Sequence, residues 1–336
     1  MISTVIFLVA VIICALVFDY INGFHDCANS IAAVVSTKVL SPRQAVLYGA
    51  TMEATGALLG VNVAKTIGAG IIASEAITLQ VIICALLAAI IWNLLTWWFG
   101  LPSSSSHALI GGLLGATFVH AGLHPIHFLL LMEKVIIPMF TSPLVGFCAG
   151  FMVMCLFLRL FYKMKPDIIN KRFRKVQIVA SGLMALSHGL NDAQKTMGVI
   201  TLALVTSGFL VFPDGEFSIP IWVKLTCAAT MAAGTMSGGW KIIKTMGSKI
   251  IKLKPISGAA SDFAASSIVM LASAFGIPLS TTHIVSTSIM GVGTAIKGSG
   301  VKTNVIGNIV TAWVLTIPCC VLLSIIIYSV LKHVPH

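Results

Sequence analysis

Long apolar runs recur from one end of this chain to the other, at residues 4–17, 77–95, 176–186 and 309–331. Several match the roughly 20 residues that span the hydrocarbon of a bilayer. Charged residues make up 9% of the chain and hydrophobic ones 57%, with a mean hydropathy of +1.01. A soluble domain carries about 25% charged residues, so a water-soluble surface cannot be assembled here. Barrel strands would alternate apolar and polar positions over about ten residues, whereas these runs are continuously apolar. The pattern predicts an all-α polytopic membrane protein, because a helix satisfies its backbone groups within one segment.

The net charge of +11 follows the same logic. Sixteen of the 21 basic residues fall in four clusters: Lys38 and Arg43, seven over 159–175, five over 241–254, and Lys297 with Lys302. None has the interleaved aromatics of a nucleic-acid surface, so no nucleic-acid partner is expected. They read as cytoplasmic loops obeying the positive-inside rule. The N-terminus, Met1-Ile2-Ser3-Thr4, lacks a basic region and is expected to begin a retained helix. Eight cysteines lie mostly in apolar segments without metal-ligand spacing, so neither a disulfide framework nor a structural metal site is expected. No cofactor is expected either.

Internal repetition divides the chain. Phe99-Gly-Leu-Pro102-Ser-Ser-Ser-Ser-His107 recurs as Phe275-Gly-Ile-Pro278-Leu-Ser-Thr-Thr-His283, offset by 176. Asn22-Gly-Phe-His25-Asp26 recurs as His188-Gly-Leu-Asn191-Asp192, offset by 166, and Lys65-Thr-Ile-Gly68 as Lys244-Thr-Met-Gly247, offset by 179. The reading is a first membrane repeat over 1–158, a basic cytoplasmic linker over 159–175, and a second repeat over 176–336. With the linker inside, one crossing by 176–211 places the 212–220 loop outside, where its only charges are Asp214 and Glu216. The next span returns to the basic 241–254 segment inside. In the first half Lys38 and Arg43 are inside, while Met1 and the 65–75 loop are outside. Equivalent loops thus fall on opposite faces, which predicts inverted topology, with both termini extracytoplasmic in a multi-pass cytoplasmic (inner) membrane protein.

Three groups of polar residues interrupt the apolar pattern, and a charge at membrane depth costs about 2.5–3.5 kcal/mol on insertion scales. The first group is Asn22, His25, Asp26 and Asn29, with Asn191, Asp192, Lys195 and Thr196 in the second half. Glycine beside Asn and Asp suggests an unwound bend whose carbonyls and carboxylates hold a small cation, such as a transported Na+ at Asp26 and Asp192; a capped cytoplasmic helix end is the plainer alternative. The second group is Ser104, Ser105, Ser106 and His107, mirrored by Ser280, Thr281, Thr282 and His283. A Gly-x-Pro break followed by hydroxyls at a helix N-terminus is a site for an anion, and neutral donors release their cargo more readily than an arginine clamp. The third group is the pair of buried acids Glu53 and Asp262, at different places in the two repeats. A divalent anion near Asp26 and Asp192 would be repelled by about 4 kcal/mol per unit-charge pair at 4 Å and an effective dielectric of 20. A bound cation or proton removes that repulsion, which is the requirement for symport.

At these motifs the sequence resembles the inorganic phosphate transporter (PiT) family, including bacterial low-affinity phosphate permeases. The resemblance spans both halves. It implies discontinuous helices, re-entrant hairpins and about 10–12 membrane segments, with phosphate bound at the repeat interface and a homodimer in the lipid. On this resemblance Ser104, Ser105, Ser106, Ser280, Thr281, Thr282, Asn29 and Asn191 contact phosphate. Asp26, Asp192, Glu53, Asp262, Asn22, His25 and Lys195 serve cation binding or coupling, with His107, His283 and Thr196 in support. His25, Gln194 and Lys195 depart from the common pattern and resemble the proton-coupled bacterial subgroup; Asp262 stands where Glu is usual. Lys195, three residues after Asp192, shares its helix face and is either a structural ion pair or a fixed replacement for one Na+. The coupling ion is therefore H+ or Na+, with metal-phosphate a possible cargo. Sulfate permeation is the nearest alternative. A passive channel fits four buried acids poorly, and an intramembrane serine hydrolase is remote because each Ser-rich run lacks a G-x-S-x-G elbow.

Overall fold

The computed structural model describes residues 2–69, 71–212, 217–296 and 301–332. Asp214, Glu216 and Lys297, used above to orient the loops, lie outside the described residues, as do Met1 and His336. The described chain is helical: α1 Ile2–Ser36, α2 Pro42–Leu58, α3 Asn62–Ala69, α4 Leu79–Phe99, α5 Ser105–Ala121, α6 Phe128–Leu131, α7 Ile137–Phe161, α8 Pro166–Thr206, α9 Ile221–Ser237, α10 Trp240–Lys244, α11 Pro255–Ala274, α12 Thr281–Ala295 and α13 Thr303–Leu331. A π-helical turn, Met132–Ile136, joins α6 to α7, and another, Thr245–Lys249, follows α10.

Local chemistry sets the boundaries. Ser41 caps α2 in a reciprocal capping box with Gln44, behind Pro42 in the first turn. Thr78 caps α4, which stops at Gly100 with φ +66°; Gly276, after α11, has φ +65°. Glycine tolerates this left-handed geometry, and the proline two residues later cannot resume the helix. These two breaks make the hairpins α4–α5 and α11–α12, so the predicted discontinuities are present there.

Among the described residues, five segments are long and apolar enough to cross a membrane: Thr4–Ser36, Leu79–Phe99, Phe128–Phe161, Pro255–Ala274 and Thr303–Leu331. Their outward faces are apolar, as at Ile6, Val9, Ile13 and Val17 on α1 and Leu144, Met152 and Leu156 on α7. Polar side chains are buried instead, among them Asp19, Asn22, Asp26, Glu53, Asp192 and Lys195. This inside-out distribution is that of a multi-pass membrane protein. The long apolar helices are fewer than the ten to twelve segments expected, because α2, α5, α9 and α12 are only 15–17 residues long and α8, though 41 residues long, carries charged and polar residues along much of its length.

Packing exchanges partners between the halves. α1 lies against α8, α9 and α4, while α8 lies against α1, α2 and α11. The first hairpin helix α5 packs on α13 from the second half, and α12 packs on α7 from the first. Swapping α1 with α8, α2 with α9, α4 with α11, α5 with α12 and α7 with α13 returns the principal contacts, the exception being α12, which lies closer to α1 and α8 than α5 does.

Two expectations need correction. The segments around Asn22 to Asn29 and His188 to Thr196 are not unwound; both are continuous helix inside α1 and α8. Their glycines serve close crossing instead. A Cβ on Gly23 would collide with the Met231 carbonyl of α9, and one on Gly189 with the Glu53 carbonyl of α2, as in other small-residue helix contacts in membranes. The basic 159–175 segment is also mostly helical: only 162–165 lie between α7 and α8. At 41 residues, α8 is roughly 60 Å long, so its charged first turns extend beyond the hydrocarbon.

Gly189→Ala is expected to push α2 from α8 and destabilise the protein by about 1–3 kcal/mol, read as a lower melting temperature in detergent. Gly307→Ala, where an added Cβ meets nothing within 4 Å, should leave it unchanged or raise it.

Candidate functional site

The site forms where the N-termini of α5 and α12 meet the middles of α1 and α8. Helical spacing of three puts Asp26 with Asn29 on one face of α1, and Asp192 with Lys195 on one face of α8. At the hairpin tips the Ser104 hydroxyl accepts the His107 N–H at 3.2 Å, and the Ser280 hydroxyl accepts that of His283 at 3.3 Å. These are N-caps, and they fix the following hydroxyls toward the acids. Ser105 donates to Asp26 Oδ2 at 2.8 Å, Thr282 to Asp26 Oδ1 at 3.4 Å, and Thr281 to Asp192 Oδ2 at 3.4 Å. Asn29 Nδ2 donates to Thr281 Oγ1 at 3.2 Å and Thr282 Oγ1 at 3.0 Å, tying the first half to the second. Ser106 donates to the Leu279 carbonyl at 3.4 Å. The His107 and His283 rings meet edge to face with centroids 5.0 Å apart, and His283 stacks on Trp313 at 4.1 Å.

Three buried acids each have a basic partner. His25 Nδ1 lies 2.7 Å from Asp26 Oδ1, with its Nε2 3.0 Å from Thr96 Oγ1. Lys195 Nζ donates to Asp192 Oδ1 at 2.6 Å and to the Leu279 carbonyl at 3.4 Å. His188 Nδ1 is 2.9 Å from Glu53 Oε1, which also accepts Ser30 at 2.7 Å, while Thr235 donates to Glu53 Oε2. The other ring nitrogen of His188 lies 3.4 Å from Asp192 Oδ2, without hydrogen-bond geometry. His188 therefore stands between Glu53 and the central acids. By the repeat offset of 166, Lys195 occupies the position equivalent to Asn29, so an ammonium replaces an amide.

Not every expected residue joins this cluster. Asn191 turns to Ser273 Oγ at 3.0 Å. Asn22 and Thr196 are buried, with side chains that complete no hydrogen bond among the described residues. Asp262 on α11 is buried with Oδ2 unpartnered, and makes no hydrogen bond or ion pair to Asp26, Asp192 or Glu53 among the described residues. Sequence reasoning left out His188, Ser30, Thr235 and Asp19. His188 was within reach, since it precedes Asp192 by four residues and heads a repeated motif. Asp19 precedes Asp26 by seven, on the same face of α1.

The arrangement offers hydroxyl and amide donors for an oxyanion, interleaved with carboxylates that require neutralisation. Ligand atoms of Asp26, His188 and Asp192 lie within 4.8 Å of one another, close enough to share a cation, although Lys195 already holds one oxygen of Asp192. A hydrolase dyad is not formed, because Ser105 is bonded to Asp26 and no hydrogen bond joins either hairpin histidine ring to a serine among the described residues.

Comparison with known proteins agrees with this geometry. Residues 22–324 match the model of the phosphate transporter family. A Bacillus subtilis protein described as a "probable low-affinity inorganic phosphate transporter" is 43% identical over 330 residues, covering 97% of each chain. A Rhizobium meliloti protein of the same description is 45% identical over 322 residues, covering 96% of this chain and 95% of its own. A solved structure, "The sodium-dependent phosphate transporter", superposes with a TM-score of 0.84 at 26% identity, covering 98% of this chain and all of that one. The chain is therefore a transporter and not an enzyme, and it belongs to the phosphate transporter family.

Proposed function

We propose that this protein is a secondary active symporter that imports inorganic phosphate across the cytoplasmic membrane, coupled to a monovalent cation. The observation that carries the reading is the double use of the hairpin hydroxyls. Ser105, Thr281 and Thr282 donate to Asp26 and Asp192, and the same groups stand at two helix N-termini suited to an oxyanion. When phosphate takes those donors, both aspartates lose them. Asp26 then keeps His25 and Asp192 keeps Lys195, but losing the hydroxyl donors beside a phosphate still costs each carboxylate on the order of a few kcal/mol, so the anion binds more favourably when a further cation or proton arrives with it.

The exchange of packing partners between halves, together with the loop charges, supports two inverted repeats with the hairpin tips approaching one site from opposite sides. Lys195 supports proton coupling. Its ammonium lies on Asp192, where a bound Na+ would otherwise sit, and it replaces the amide found at Asn29. Sulfate shares the tetrahedral shape of phosphate, but no observation favours it, and the relatives are described as phosphate transporters.

Reconstituted into proteoliposomes, the protein should accumulate radiolabelled phosphate under an imposed pH gradient, with sulfate in excess competing weakly. Uptake that needs Na+ and ignores a pH gradient would sink the proton assignment. Lys195→Asn should shift uptake toward Na+ dependence. Ser105→Ala and Thr281→Ala should each weaken phosphate uptake by about five- to tenfold in half-saturating concentration, the size of one lost hydrogen bond, with little change in melting temperature.

A further inference from the structure

Asp26, Glu53 and Asp192 each touch a histidine or lysine; Asp19 does not. It is fully buried in α1, and neither carboxylate oxygen completes a hydrogen bond among the described residues. The Thr196 hydroxyl of α8 lies beside it without completing a bond of good geometry, and Asn22, one turn along α1, has both side-chain polar atoms unpartnered as well. Buried polar groups are almost always satisfied, so three neighbours left open together mark a place built for something else. The titratable groups facing Asp19 are Asp192 from α8 and Cys227 from α9; α4, also packed on α1, carries no charged residue. The open groups present a carboxylate, an amide oxygen and a hydroxyl, the hard oxygens that suit a small cation.

Position adds direction. Asp19 is seven residues from Asp26 and Thr196 four from Asp192, so this layer lies roughly 6–10 Å from the central acids along antiparallel α1 and α8. It lies toward the end of the bundle that opens into a cavity of about 650 Å³, lined by Thr4, Ile6, Phe7, Ala10, Thr206 and Ser207. We infer that Asp19, with Asn22 and Thr196, is a second cation site. It takes up one monovalent cation, as a proton on the carboxylate or as Na+ among the three oxygens, on the path between that cavity and the phosphate site. This rests on the symport reading above. The cation at Asp19 offsets its negative charge before phosphate reaches Asp26 and Asp192, so the site links the imposed gradient to net movement and does not hold phosphate itself.

The test compares wild type, Asp19→Asn and Asp19→Glu in proteoliposomes, measuring gradient-driven accumulation of phosphate and, separately, exchange of labelled for unlabelled phosphate with no gradient. Asp19→Asn should lose gradient-driven accumulation by about tenfold or more while exchange stays near wild type, and Asp19→Glu should restore accumulation. Loss of the response to the pH gradient identifies a proton, and loss of the response to the Na+ gradient identifies Na+. Accumulation by Asp19→Asn equal to wild type overturns the inference, as does equal loss of accumulation and exchange in both variants, which marks a structural role. Failure of wild type to accumulate phosphate under either gradient would instead strike the symport reading.

Discussion

Buried carboxylates in a membrane interior must be neutralised or supplied with donors, and the structure is organised around that requirement. Asp26 and Asp192 are buried in the interior of α1 and α8, about two-thirds of the way along each helix, where isolated charges cost several kcal/mol. Their donors come from elsewhere in the chain: Ser105 from α5, Thr281 and Thr282 from α12, with His25 and Lys195 alongside. The bonds from Ser105, Thr281 and Thr282 join helices that the sequence separates widely, so satisfying the acids also fixes where the hairpin tips sit. Glu53 shows the same economy, with donors arriving from α1, α8 and α9.

That constraint explains the glycines and the exchanged packing. To bring the polar faces of α1 and α8 close to α9 and α2, the backbones must nearly touch at Gly23 and Gly189, where any side chain would strike a carbonyl. The two hairpins then reach across, α5 to α13 and α12 to α7, so neither half completes its packing alone. The proposed symport needs such linkage, because movement of one half must alter the groups that hold ligands on the other.

The membrane class and the outline of the site were legible in the sequence because both rest on local pattern. Apolar runs report spans, and a motif repeated with Asp26 and Asp192, or with Ser105 and Thr281, reports a shared task. What was illegible depends on which helices touch. Gly23 beside Asn22 reads as a break, but the close crossing with α9 keeps α1 helical. The partners of Glu53 lie as far as 182 residues away, and no spacing rule reveals them. Asp19 sits between the apolar run 4–17 and the Asn22 motif, part of neither, and its isolation becomes visible only once α8 places Thr196 beside it. Asp262 shows the converse, a conspicuous acid in the sequence that stays apart from the central cluster.

The central claim is that phosphate and a cation bind as a pair, because phosphate takes the hydroxyl donors of Asp26 and Asp192 and the cation relieves the charge left on them. Equilibrium binding of radiolabelled phosphate to purified protein, across pH and Na+ concentration and corrected for the ionisation of phosphate itself, tests this most directly. The account predicts an affinity that rises about tenfold or more with proton or Na+ activity, and cation binding that tightens by the same factor with phosphate. Phosphate affinity that is indifferent to both would contradict it.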